Sequence, residues 1–117
     1  MKLLIILNRN PYDGSDVTRN ALRLADFTLK AGESVSIFLM NDGVDLAREG
    51  VSPGVYDTNL SNMLIELIAK GVSVKVCSTC LTRCGLAKGM PLMPGTIEAK
   101  MPELVNLIKE ADKVLSF

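Results

Sequence analysis

A chain of 117 residues suits one domain, and its 48% hydrophobic but only 4% aromatic content makes the expected core aliphatic. Thirteen basic residues cancel thirteen acidic ones, which leaves no electrostatic footprint for nucleic acid or an anionic membrane. No apolar run reaches membrane-spanning length, and Asn8-Arg9-Asn10 closes the opening Met1–Leu7 run too early for a signal peptide. A single domain over 1–117, soluble and cytoplasmic, is expected.

Leu3 to Leu7 is a continuous aliphatic run, as in a strand covered on both faces. Asn10-Pro11-Tyr12-Asp13-Gly14 supplies a turn, and Ser15 or Asp16 can cap the helix that follows. Val17, Ala21, Leu24, Ala25 and Thr28 predict its buried face, opposite Arg19, Arg23 and Lys30, and Gly32 suits its left-handed end. Val35 to Met40 reads as a second strand. Asn41-Asp42-Gly43 then turns the chain into a short helix-like stretch over 44–49. Residues 50–56 are irregular, and a connection this long in a small domain suits a lid, an interface loop or a site wall.

Leu60, Met63, Leu64, Leu67 and Ile68 match the spacing of a buried helix face. Gly71 ends that helix, and a third strand runs from Val72 to Cys77. Beyond the cysteines the pattern weakens, with an extra strand expected at 91–93 or 96–98. Pro102 opens a final helix with Met101, Leu104, Val105 and Ile108 on one face, and residues 113–117 form a terminal strand. Strands alternating with helices predict an α/β domain, with a mainly parallel sheet of about five strands and helices on both faces.

The chemistry concentrates in Cys77, Cys80 and Cys84, three thiols within eight residues of a chain that contains no histidine. On a helix that starts after the third strand, ~100° per residue keeps the three on roughly 60° of one face. Cys77 at the helix mouth faces unpaired N–H groups, which favour a thiolate. Ligands in open parallel sheets bind outside the carboxyl ends of the strands. Asn8–Gly14, Asn41–Gly43 and Cys77–Cys80 all lie there. Arg83 projects away from Cys77 on a regular helix and reads as a solvated side chain.

Three thiols at a strand end also suit less reactive roles. Free cysteine packs well as a small apolar group. A closed zinc site wants four ligands, and one subunit offers three thiols and no imidazole, so no metal is expected. A reducing compartment disfavours a structural disulfide. Neither Gly14 nor Gly43 belongs to a phosphate-loop or dinucleotide fingerprint, so no cofactor is expected. Cys-x-x-Cys also suggests thioredoxin, but that motif follows an early strand.

Four stretches together carry a resemblance over essentially the whole chain. They are Pro11-Tyr12 with Gly14-Ser15, then Phe38-Leu39-Met40-Asn41-Asp42, then Val74-Lys75-Val76-Cys77-Ser78-Thr79-Cys80 with Gly85, and finally residues 111–117. The chain resembles the DsrE/DsrF-like family, within it the small YchN-like proteins related to TusD-type sulfur-relay subunits. The resemblance implies a three-layer α/β/α sandwich, assembly as a homotrimer or homohexamer, and persulfide chemistry at the cysteine ending the third strand, here Cys77. Cys80 belongs to the YchN-like pattern, and Cys84 to neither pattern.

A sulfur-relay protein is therefore expected, with Cys77 and Cys80 as its catalytic residues and sulfur-donor and sulfur-acceptor proteins as partners. Cys77 would accept sulfane sulfur, and Cys80 would resolve the persulfide. A metal- or cofactor-binding protein and a non-catalytic assembly module are the alternatives. The Leu- and Met-rich segment from Leu86 to Met101, broken by Gly and Pro, is expected at a subunit interface, near the loop from Gly43 to Tyr56.

Overall fold

The aliphatic runs form strands, and the strands form one sheet. The computed structural model describes residues 1–48, 60–83 and 92–117, apart from the Arg83 side chain. In it β1 (Lys2–Leu7), β2 (Ser34–Leu39), β3 (Ser73–Cys77), β4 (Thr96–Ala99) and β5 (Lys113–Ser116) stand in the order β4-β3-β2-β1-β5. Every pairing is parallel, with Ile5 beside Ile37 and Ile37 beside Val74. Among the described residues, four α-helices connect them: α1 (Val17–Lys30), α2 (Leu60–Ala69), α3 (Ser78–Arg83) and α4 (Met101–Glu110).

Right-handed crossovers decide the layers. The chain steps one way from β1 to β4, so α1 and α2 share a face, where they pack on each other. The connection from β4 to β5 runs back across the sheet and places α4 on the opposite face. There Leu107 and Ala111 line a small cavity with Leu4 and Ser36. The result is a three-layer α/β/α arrangement. Its core is aliphatic, with Leu4, Ile5, Leu7, Ile37, Leu39 and Leu64 almost wholly buried and Phe38 the one large ring among them.

Local signals explain most of the ends. Gly32 takes φ +87° after α1, as its left-handed role requires. Glu103 reaches back at the start of α4 to accept the Lys100 N–H at 3.3 Å. At the start of α1 it is Ser15 that caps, its Oγ accepting the Val17 N–H at 3.4 Å, whereas Asp16 makes no side-chain capping bond. Asp13 instead organises the turn, with one carboxylate oxygen accepting both the Ser15 N–H at 2.9 Å and the Ser15 O–H at 2.6 Å.

Two expectations about packing are corrected. The buried face of α1 is Thr18, Ala21, Leu22 and Ala25, whereas Leu24 is exposed. Leu22 and Leu24 stand about 160° apart around the helix axis, either able to extend the stripe of Ala21 and Ala25, and the docking of α1 on the sheet, which periodicity does not report, chooses Leu22. The second correction is confined to residues 43–47 and Met93, parts of the two apolar segments assigned to an interface. Gly43, Val44, Leu46 and Ala47 are buried in a 3-10 helix over Asn41–Ala47. Met93, 3% exposed, packs into the same core and donates its N–H to the Ala47 carbonyl at 2.7 Å. Leu92 pairs with Arg48 in an isolated antiparallel bridge. These parts line the subunit's own core; residues 49–59 and 84–91 lie outside the described residues. Within the same Leu86–Met101 segment Ile97 and Met101 are exposed, as are Val105 and Ile108 further along α4 and, elsewhere, Phe27, Ile65, Val114 and Leu115.

Candidate thiol site at the carboxyl end of the sheet

β3 delivers Cys77 to the edge of the sheet, and α3 begins at the next residue. Cys77 is 6% exposed, within the hydrophobic core, while Cys80 one turn later is partly exposed. The Cys80 N–H donates to Cys77 Sγ at 3.4 Å. Both are reduced thiols, and Cys84 lies outside the described residues. The thiol closer to solvent is therefore the one assigned to resolve, not the one assigned to accept.

A second contact reaches Cys80 from the end of β2. The Asn41 N–H donates to Cys80 Sγ at 3.1 Å. Asn41 has φ +52° and is the one described non-glycine residue in the left-handed region, a conformation Asn tolerates better than most residues. Its side chain donates to Asn8 Oδ1 at 2.8 Å, and Asn8 Nδ2 donates to Ser116 Oγ at 2.9 Å. Hydrogen bonds thus run from Cys77 through Cys80, Asn41 and Asn8 to Ser116, joining the carboxyl ends of β3, β2, β1 and β5.

The turn that holds Asn41 rests on β1. The Met40 N–H donates to the Leu7 carbonyl at 3.0 Å, and the Gly43 N–H returns to the Met40 carbonyl at 2.9 Å. A Cβ on Gly43 would stand 2.1 Å from the Leu7 carbonyl oxygen. Only glycine lets the two backbones approach this closely. The loop after β1 is fixed at its other side, where the Tyr12 hydroxyl meets Ser61 Oγ at 3.3 Å on α2.

Of the expected site residues, Cys77 and Cys80 are brought together, and the loops after β1 and β2 arrive beside them. Sequence reasoning misses Ser116, and it places Asn8 and Asn41 only as members of loops. The available signal is an Asn just after each of two apolar strands. Among the described residues, no group of three or more His, Cys, Asp or Glu side chains gathers to hold a metal ion. Nor is any described helix long and apolar enough to cross a membrane. A cavity of about 80 Å³ between α1 and α2 is lined by Leu22, Phe27, Met63 and the Asp26–Lys70 pair, with no thiol among its described lining residues.

Chemically, the arrangement presents two sulfurs, each receiving a main-chain N–H, one buried and one at the mouth. Such donors stabilise negative charge on sulfur. Among known proteins, the chain is 39% identical over 119 residues to protein YchN of Escherichia coli, covering 99% of this chain and 98% of the relative. It is 36% identical over 115 residues to the uncharacterized protein MK0008 of Methanopyrus kandleri, covering 98% and 93%. The crystal structure of the Escherichia coli YchN protein superimposes with a TM-score of 0.88 at 35% identity, covering 100% of this chain and 99% of that one. The DsrE/DsrF-like family profile matches residues 1–117. With its all-parallel sheet, its strand-end thiols and these relatives, this chain belongs to the DsrE/DsrF-like family.

Proposed function

We propose that this protein is a cytoplasmic sulfur-relay protein, a carrier of sulfane sulfur as a persulfide on the Cys77–Cys80 pair. The observation that carries this reading is the pair itself. Two reduced thiols one turn apart share an N–H···S contact at the carboxyl end of a parallel sheet, the end where such folds place their ligands. Membership in a family linked to sulfur relay supports it. The partners are a donor carrying a persulfide and an acceptor carrying a thiol.

The reading includes self-association. Ile97, Met101, Val105 and Ile108 are large apolar side chains left exposed on β4 and α4, and exposed apolar clusters mark interaction surfaces. A homotrimer or homohexamer formed through them would cover this side of the sheet.

Intact mass spectrometry after anaerobic exposure to polysulfide tests the carrier. Each sulfur atom gained adds ~32 Da to a reactive thiol. The adduct is expected on the native protein and on Cys84→Ser, and it disappears in the double variant Cys77→Ser/Cys80→Ser. An adduct that persists in the double variant, or none on the native protein, overturns the proposal.

A further inference from the structure

We infer that Cys80, held by the main-chain N–H of Asn41, is the port through which sulfane sulfur enters and leaves, and that Cys77 is its buried store; this rests on the persulfide reading. Sulfur exchange requires the attacking thiolate to reach the outer sulfur of the donor. Cys77 is 6% exposed and Cys80 is partly exposed, so a protein-borne persulfide meets Cys80 first. The sulfur at the port also carries the contact from outside its own helix, the Asn41 N–H at 3.1 Å. That donor is held on three sides: its residue is left-handed at φ +52°, its side chain is bonded to Asn8, and Gly43 seats its turn on the Leu7 carbonyl. Asn41 is thus a positioning residue, acting on the reaction through the Cys80 sulfur.

The two steps balance without an oxidant. The Cys80 thiolate attacks the outer sulfur of the donor R–S–SH. A Cys80 S–S bond forms, the donor S–S bond breaks, and its electron pair leaves with the donor thiolate. Cys77 Sγ then attacks the same outer sulfur. The Cys77–sulfur bond forms, Cys80 Sγ departs with the bonding pair, and the Cys77 thiol proton passes to Cys80. The product is a Cys77 persulfide, shielded from bulk thiols, with Cys80 restored. Delivery is the reverse sequence toward an acceptor thiolate.

Time-resolved intact mass spectrometry with polysulfide tests this in a Cys84→Ser background. Cys80→Ser is expected to take up the ~32 Da at least tenfold more slowly than the background protein, in line with loss of the accessible thiolate. Cys77→Ser is expected to take it up but lose it to glutathione at least tenfold faster. Asn41→Val, which disfavours the left-handed backbone, shifts the pH midpoint of loading upward, and Asn41→Gly, which permits it, restores the midpoint. Loading of Cys80→Ser at the background rate, or no pH shift in Asn41→Val, overturns the inference while leaving the carrier reading intact. A background protein that never gains the mass sinks the carrier reading itself. A measurement needing no variant guards against misfolding: limited iodoacetamide treatment of the native protein, with peptide mapping, should label Cys80 before Cys77. Labelling of Cys77 first overturns the port.

Discussion

The Asn41 N–H lies 3.1 Å from Cys80 Sγ, although the two residues are 39 positions apart in the chain. The contact joins the end of β2 to the first turn after β3, and neither element makes it alone. Sheet register brings the two ends level, since Leu39 pairs with Val76. The thiol site therefore depends on the β2–β3 pairing as much as on the cysteines.

Cys77 and Cys80 stand at i and i+3 across a strand–helix junction, with the N–H of one on the sulfur of the other. A disulfide requires α-carbons within roughly 7 Å of each other, which the i, i+3 spacing of one helical turn allows. Mild oxidation is expected to give an intramolecular Cys77–Cys80 bond before any link to Cys84. Peptide mapping checks it, and mainly Cys80–Cys84 or intermolecular bonds would contradict it.

Gly43→Ala tests the seat of the Asn41 turn. The added Cβ meets the Leu7 carbonyl oxygen at 2.1 Å, and backbone rather than a flexible side chain has to move. Overpacking of this kind costs about 1–3 kcal/mol. Urea denaturation should show a lower midpoint, and sulfur loading should slow with it. An unchanged midpoint would mean that the turn relocates freely.

Acid stability should carry the mark of Asp13. Hydrogen bonds from the Ser15 hydroxyl and N–H, with Arg9 beside it, lower its pKa from 3.8 to about 2. A carboxylate depressed in the folded state contributes stability above the unfolded value and loses it as pH falls through the folded one. The contribution is therefore complete above about pH 4 and fades toward pH 2. Asp13→Asn should flatten the stability profile in that window. Chemical-shift titration of the carboxyl gives the direct check, and a midpoint near 3.8 would refute it.

Buried and exposed apolar positions should respond in opposite ways. Met93 is buried, so Met93→Asp places an unpaired charge in the core, at a cost of several kcal/mol, and the subunit unfolds. Val105→Lys with Ile108→Lys changes exposed positions on α4, where the fold should persist while self-association is lost. Sedimentation equilibrium with circular dichroism separates the two. A native protein that is already monomeric at micromolar concentration would remove the proposed interface.

Legibility in the sequence follows the range of the interaction. Apolar runs at β1, β2 and β3 and the spacing of Leu60, Leu64 and Leu67 are readable because burial imposes a period on a local segment. The α1 face misleads at Leu24 because Leu22 and Leu24 lie on nearly opposite sides of the helix, each able to extend an apolar stripe through Ala21 and Ala25, and only docking on the sheet chooses between them. Met93 reads as part of a surface because Gly and Pro break its segment, whereas hydrogen bonds to Ala47 and Thr96 anchor it in the core.

By itself, then, the sequence determined an alternating α/β domain and the three thiols after its third strand, since periodicity and residue chemistry are local properties. Tertiary structure alone decided that Cys80 is more exposed than Cys77. It also decided that a main-chain N–H from the end of β2 meets Cys80, and that Asn8 and Ser116 complete the chain of hydrogen bonds. Those relations arise where separate strands end side by side. Parallel pairing sets them, through contacts between residues that no local pattern connects.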